Sequence, residues 1–225
     1  MQDNIIVRKK RNGLLPKMLN QSDDKLEIEL TSKCALQCPA CARVTQSDMK
    51  QEWDAGHLSK ELLFRICDTT NFHRYQFVGC YGDPIYHPDF LEICKYFMAA
   101  GKKILVHTNG SAKPEKFWKE AADIVWKGCI FTFSVDGLED TNHIYRKGSK
   151  WKQILTAMKY MASIPRENRP TLEWKFLVFP YNKHQIEEAR TLANELGFTK
   201  FEAWDSYRNA NSYNVPAEEL HNYVS

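Results

Sequence analysis

The sequence has no run of about 18 apolar residues, so no transmembrane helix is expected. The stretch from Met1 to Lys17 is polar and basic and lacks the apolar h-region of a secretory signal, so the expected location is the cytoplasm. No internal repeat and no low-complexity segment occurs. No sign of charge dominates: 31 Lys+Arg face 28 Asp+Glu, and a net charge of +3 over 225 residues is too small to imply a polyanionic substrate. The seven cysteines are an odd number, which argues against a closed disulfide framework. In a reducing compartment, closely spaced cysteines more often bind metal or do redox chemistry. What is present is a globular balance, 43% hydrophobic and 26% charged, which excludes wholesale disorder. The length suits one domain, or one and a half.

From Lys25 onward short apolar segments alternate with helical ones. Strands are expected at Leu26–Leu30, Tyr75–Gly79, Lys103–His107, Ile130–Val135, Thr171–Phe179 and Lys200–Trp204. Helices are expected at Ser59–Asp68 with Ser59 as N-cap, Pro88–Ala100, Pro114–Trp126, Trp151–Ser163 and Lys183–Leu196. Six strand–helix alternations predict an α/β fold with a parallel sheet and right-handed crossovers. Ligands of such folds sit at the C-terminal strand ends. The unusual segments fall there: Thr31–Cys34, Gly79–Pro84, Thr108–Gly110, Ser134–Gly137 and Asp205–Arg208.

Polar residues recur on one strand face: Glu27 and Glu29; Thr132, Ser134 and Asp136; Glu173 and Lys175. A flat sheet covered by helices on both sides would be apolar throughout. The pattern favours a sheet curled around a wet or ligand-filled interior, a partial (β/α)6 TIM-like barrel.

Cys34, Cys38 and Cys41 have the spacing C-x3-C-x2-C in the loop after the first strand. Thiolates are soft ligands for zinc and iron–sulfur clusters. Structural zinc takes four ligands, commonly from two C-x2-C pairs, and here the next cysteine is Cys67. Cys67 and Cys94 fall in helical segments and are expected in the core, whereas Cys80 lies in a loop on the ligand-bearing end.

The stretch Glu29 to Arg43 (ELTSKCALQCPACAR) resembles the radical S-adenosylmethionine (SAM) enzymes. The resemblance implies that Cys34, Cys38 and Cys41 hold a 4Fe-4S cluster whose open iron binds SAM. Gly79, Gly82, Asp83 and Pro84 resemble the family's glycine-glycine-glutamate-proline segment, with Tyr81 replacing the first glycine and Asp83 the glutamate. Asn109 matches the end of the third strand, and Ser134, Asp136, Asn142 and Arg146 match the segment that contacts the SAM ribose and carboxylate. Arg146 is the candidate for the carboxylate, and Asn182 also falls at a familiar position. The residue before the third cysteine, often bulky in the family, is Ala40, so the adenine is expected against Phe201 to Trp204.

The resemblance divides the chain into a basic arm (1–24, with Arg8, Lys9, Lys10 and Arg11), a radical SAM core (25–208) and a tail (209–225). It implies reductive cleavage of SAM to a 5′-deoxyadenosyl radical that abstracts hydrogen from a substrate, with an external one-electron reductant of flavodoxin or ferredoxin type. No protein general base is required, so no catalytic residue is named. The core is similar to that of the peptide-maturing subgroup without its cysteine-rich extension, which favours a peptide or protein substrate. Two other readings stay open: a nucleic-acid-modifying enzyme using the basic arm, and a metal-binding module without catalysis. Glu173 and Lys175 are expected to face the interior, either near substrate or as a buried ion pair.

Overall fold

The computed structural model describes residues 25–44 and 55–205. The basic arm, the tail, Tyr207 and Arg208 lie outside the described residues. Six parallel strands form one sheet in sequential order. They are β1 (Lys25–Ile28), β2 (Arg74–Phe77), β3 (Lys103–Thr108), β4 (Ile130–Ser134), β5 (Thr171–Val178) and β6 (Lys200–Asp205). The connecting helices are α1 (Lys60–Thr69), α2 (Phe90–Ala99), α3 (Glu115–Ala122), α4 (Asn142–Tyr145), α5 (Trp151–Ser163) and α6 (Ile186–Glu195). Short 3₁₀ turns at Pro84–Tyr86 and Lys183–Gln185 precede α2 and α6. The sheet is open, with β1 and β6 at its edges, as a partial barrel requires.

Where boundaries differ from the sequence reading, side chains account for the difference. α1 starts as expected, with the Ser59 hydroxyl accepting from the Leu62 N–H at 3.2 Å. α3 stops at Ala122 rather than running to Trp126, because the Ala121 carbonyl accepts from the Trp126 indole N–H at 2.8 Å. The Trp126 backbone N–H then donates across to the Asn168 carbonyl at 2.7 Å. β5 ends one residue early because the Asn182 side chain accepts from the Phe179 N–H at 2.7 Å and donates to the Leu177 carbonyl at 2.9 Å.

The helix-facing side of the sheet is apolar. Tyr75, Phe77, Ile104, Val106, Phe131, Phe133, Leu172 and Trp174 are all buried in one continuous core. Helix residues such as Leu63, Phe97, Trp118, Met158 and Ala189 complete that core. Each such aromatic or aliphatic side chain contributes about 1.5–3 kcal/mol by leaving water. Cys67 and Cys94 are buried in this core, as their helical placement predicts, and so is Cys129.

Pairing along the sheet fixes the other face. His107, Thr132, Glu173 and Lys200 follow one another in register, and Ser134, Lys175 and Glu202 form the next row. The Thr132 hydroxyl donates to Glu173 at 3.0 Å, and Lys25 donates to Gln76 at 2.8 Å. Among the described residues, Glu173 and Lys175 do not form the ion pair considered from the sequence. Glu173 is engaged by Thr132, and Lys175 lies over the Trp204 ring, 5.0 Å from its centroid. Phe201 packs on Trp174 and Phe176 with Arg190 above it. It therefore faces the helix layer, which removes it from the adenine wall expected there. The cause is parity: Phe201 pairs with Trp174, an outward-facing residue.

Candidate active site

All the loops singled out above leave the C-terminal ends of neighbouring strands. The cysteine loop after β1 is held by backbone at both ends. The Ser32 N–H donates to the Gly56 carbonyl at 3.0 Å, and the Asp83 N–H donates to the Lys33 carbonyl at 3.0 Å. The Gln37 N–H donates to the Lys147 carbonyl at 2.9 Å. Arg43 donates to the Leu36 carbonyl, folding the far end of the loop back on itself.

The loop after β2 fits against the cysteine loop backbone to backbone. A Cβ on Gly82 would overlap the Thr31 carbonyl oxygen, and one on Gly79 would overlap the Gly82 carbonyl. Only glycine permits these approaches. The Glu29 carboxylate accepts from the Tyr81 and Gly82 N–H groups at 2.6 and 3.1 Å, which fixes the same turn from below. Sequence reasoning placed Glu29 on the polar face but missed this role, because its partners lie more than fifty residues away.

Asp83 is buried and accepts three hydrogen bonds: from the Ile85 N–H at 3.1 Å, the Thr108 hydroxyl at 3.0 Å and the Asn109 N–H at 2.7 Å. Burial pushes its carboxyl up to about 6 against these donors. Pro84, also buried, opens the 3₁₀ turn that Asp83 caps. Asp83 thus joins the loops after β2 and β3. Asn109 extends the chain of contacts: its side-chain amide donates to the Cys34 sulfur at 3.4 Å, and the Leu36 N–H donates to the same sulfur at 3.4 Å.

Cys34, Cys38 and Cys41 are all half-buried. The Cys41 N–H donates to the Cys38 carbonyl at 3.0 Å. Burial, then the Asp83 charge, pushes the Cys34 thiol up to about 12, so the unliganded thiol stays protonated at neutral pH. Among the described residues, no three Cys, His, Asp or Glu side chains converge closely enough for a single metal ion. Three soft thiols on one braced loop, with two N–H donors aimed at one sulfur, fit thiolate ligation of an inorganic group.

On the other side of the loop, Asp136 is fully buried. It accepts from Arg146 Nε at 2.7 Å and from the Leu177 N–H at 2.9 Å. Its own N–H donates to Asn142 at 2.8 Å, and its carbonyl accepts from Asn182 at 2.7 Å. Both Asp136 oxygens are therefore engaged within the protein. Gly137 is glycine for a steric reason, with φ +149° and the Thr141 hydroxyl where a Cβ would be. Arg146 remains cationic, held so by Asp136 and by the nearby Cys38. Among the described residues only its Nε is hydrogen-bonded, and its two terminal nitrogens are left for another acceptor. Ser134 stands half-buried on the inner face beside Lys175.

Beside Cys38 and Ala40 lies a small aromatic cluster that the sequence did not reveal. Phe179 and Tyr181 stack with centroids 5.3 Å apart, and Tyr145 meets Phe179 at 4.9 Å. It occupies the flank that a bulkier residue at Ala40 would otherwise cover.

The fold and the glycine-braced loops define a partial α/β barrel that gathers its three closely spaced cysteines and its buried polar residues at the strand ends. The family model described as "Radical SAM superfamily" matches residues 28–193, and the chain belongs to that superfamily. It is 26% identical over 180 residues to a Pyrococcus furiosus protein named "Tungsten-containing aldehyde ferredoxin oxidoreductase cofactor-modifying protein", covering 75% of this chain and 48% of that one. Its fold is similar to SuiB of Streptococcus suis bound to precursor peptide SuiA (TM-score 0.65, 15% identity, 89% of this chain and 45% of that one). It is also similar to anSMEcpe with bound AdoMet (TM-score 0.60, 16% identity, 88% of this chain and 57% of that one). The chain spans about half the length of these relatives.

Proposed function

We propose that this chain is a radical SAM enzyme in which Cys34, Cys38 and Cys41 hold a 4Fe-4S cluster and SAM binds beside it. Once bound, the cluster and SAM supply reductive cleavage to methionine and a 5′-deoxyadenosyl radical able to abstract hydrogen from a substrate. The observation that carries this reading is the arrangement around the cysteine loop. Three thiols lie on one braced loop at the C-terminal end of β1, next to an arginine whose terminal nitrogens have no acceptor among the described residues. Arg146 would take the SAM carboxylate, and Asp136 would act as its positioning residue, fixing the guanidinium through Nε. Gly82, Asp83 and Pro84 would present backbone to the SAM amino group, with Asp83 holding that loop on the turn after β3. Asn109 would donate to the Cys34 thiolate, and Ser134 would face the ribose from β4. The stacked Phe179 and Tyr181, with Tyr145, are buried and would brace the Cys38–Ala40 flank from behind.

A partial barrel open between β1 and β6 admits a large substrate from the side, which supports a peptide or protein substrate. The reading requires an external one-electron reductant of flavodoxin or ferredoxin type. Anaerobic iron–sulfide reconstitution, reduction, and assay for 5′-deoxyadenosine test it. Cluster-replete protein that makes none in the presence of SAM would sink the proposal.

A further inference from the structure

The inner face of the sheet carries a half-buried cation whose chemistry the site above does not use. Lys175 points into the barrel from β5, in register with Ser134 on one side and Glu202 on the other. It is half-buried, and among the described residues it makes no ion pair and no hydrogen bond. The carboxylates of its own strand and of the two flanking strands on this face are committed elsewhere. Glu202 pairs with Lys200 at 2.7 Å, Glu173 accepts from Thr132 at 3.0 Å, and Asp136 is taken by Arg146 and the Leu177 N–H. The Trp204 ring, 5.0 Å from the ammonium, offsets part of its lost hydration through a cation–π contact. A ring face occupies one side of an ammonium and leaves donors of its three N–H groups unused. Lys200 is held by Glu202, and the His107 pKa is lowered by burial and by Lys175, so the neutral ring adds no second charge.

We infer that Lys175, on the strand next to Ser134, seats a carboxylate of the substrate on the inner wall of the barrel. The seat is distinct from the Arg146 position: Ser134 lies two residues before Asp136, about 7 Å deeper along the strand at about 3.3 Å per residue. An anchor at that depth would fix the substrate below the mouth where the cysteine loop and Arg146 lie. The inference deepens the proposed function and rests on it for the identity of the ligand as substrate, but the seat itself is a property of the sheet.

The test uses the full chain, loaded with cluster and SAM, and an N-acetylated, C-terminally amidated triglutamate peptide as probe against the same blocked form of triglutamine. Wild type is expected to bind triglutamate about 10–100-fold more tightly, the range of one hydrogen-bonded charged contact. Lys175→Met is expected to abolish that preference, whereas Lys175→Arg keeps it and Glu202→Gln leaves it unchanged. Equal binding of the two peptides by wild type, or an undiminished preference in Lys175→Met, would overturn the inference. So would inorganic phosphate displacing triglutamate at equal concentration, because the seat would then be one for phosphate. Circular dichroism of each variant separates loss of the seat from loss of the fold, and Lys175→Arg supplies the folded control. The same titration on a variant with Cys34, Cys38 and Cys41 changed to Ala separates the two proposals. A preference that survives there, in a chain whose wild type makes no 5′-deoxyadenosine, would sink the SAM reading and keep the carboxylate seat.

Discussion

The two faces of the sheet are made by the same six strands, yet they obey different rules. On the helix side, the central strands present mainly aliphatic and aromatic residues, from Tyr75 and Phe77 through Ile104, Val106, Phe131 and Phe133 to Leu172 and Trp174, all buried in one core. On the barrel side, Lys25, Gln76, Thr132, Glu173, Lys175 and Glu202 are polar, and most are satisfied by one particular partner. The comparison teaches that stability and chemistry are separated here by strand parity. Alternate residues of a single strand, such as Phe133 and Ser134, serve one or the other.

The largest effect should come from the mouth of the barrel face. Changing Cys34, Cys38 and Cys41 together to Ala is expected to remove all iron and all 5′-deoxyadenosine formation, read by iron analysis and product assay. The helix-side core should remain folded by circular dichroism. Retained iron would show that the ligands lie elsewhere.

Next comes the one place where the barrel side should behave like core. Arg146→Met leaves the fully buried Asp136 without its cation, and the expected loss is about 3–5 kcal/mol in chemical denaturation. SAM affinity should fall with it. A variant of unchanged stability that still binds SAM normally would remove Arg146 from the site.

On the helix side, Phe133→Ala should cost about 3–5 kcal/mol through cavity formation. The adjacent inner-face change Thr132→Val, which removes one hydrogen bond to Glu173, should cost about 1 kcal/mol. Equal losses from the two would break the contrast between the faces.

The smallest effect is on pH dependence. The His87 ring accepts from the Asp89 N–H at 3.1 Å and so donates through Nε2 to the Leu58 carbonyl at 2.8 Å, and only the neutral ring does both. Burial lowers its pKa below the usual 6.5, and that of His107 too. A depressed folded pKa contributes stability that is fully present above 6.5 and is lost as pH falls through the folded value. Each histidine therefore adds at most about 1.4 kcal/mol per pH unit to the acid slope. Asp83, raised from 3.8 to about 6, works in the opposite direction: its contribution is present below 3.8 and is lost as pH rises towards 6. Denaturation of the metal-free chain between pH 5 and 7 should show stability rising with pH, and His87→Asn should flatten that rise. A slope unchanged in the variant would mean that His87 titrates normally in the folded protein.

The helix side was legible because periodicity and propensity are local. All six strands fall within two residues of their expected ends, and α5 runs from Trp151 to Ser163 as expected. The cysteine loop was legible because its three thiols are close in sequence. What escaped depends on pairs distant in the chain. Glu29 grips Tyr81 and Gly82, and Asn182 reaches Asp136, with nothing in either neighbourhood to announce the partner. Phe201 was placed on the wrong face because a short edge strand carries too few alternations to fix its parity. The aromatic cluster of Tyr145, Phe179 and Tyr181 assembles from two loops, so no single segment displays it.

The close fit of Gly82 against Thr31 and of Gly79 against Gly82 has a mechanical consequence. With no side chain between them to absorb a displacement, the loops after β1 and β2 move as a single stiff bracket. A methyl group at Gly82 would act as a wedge, and its thrust would pass through the Asp83–Lys33 hydrogen bond to the segment carrying Cys34. Gly82→Ala should therefore disturb iron incorporation more than it disturbs the apolar core, although position 82 supplies no atom to the metal.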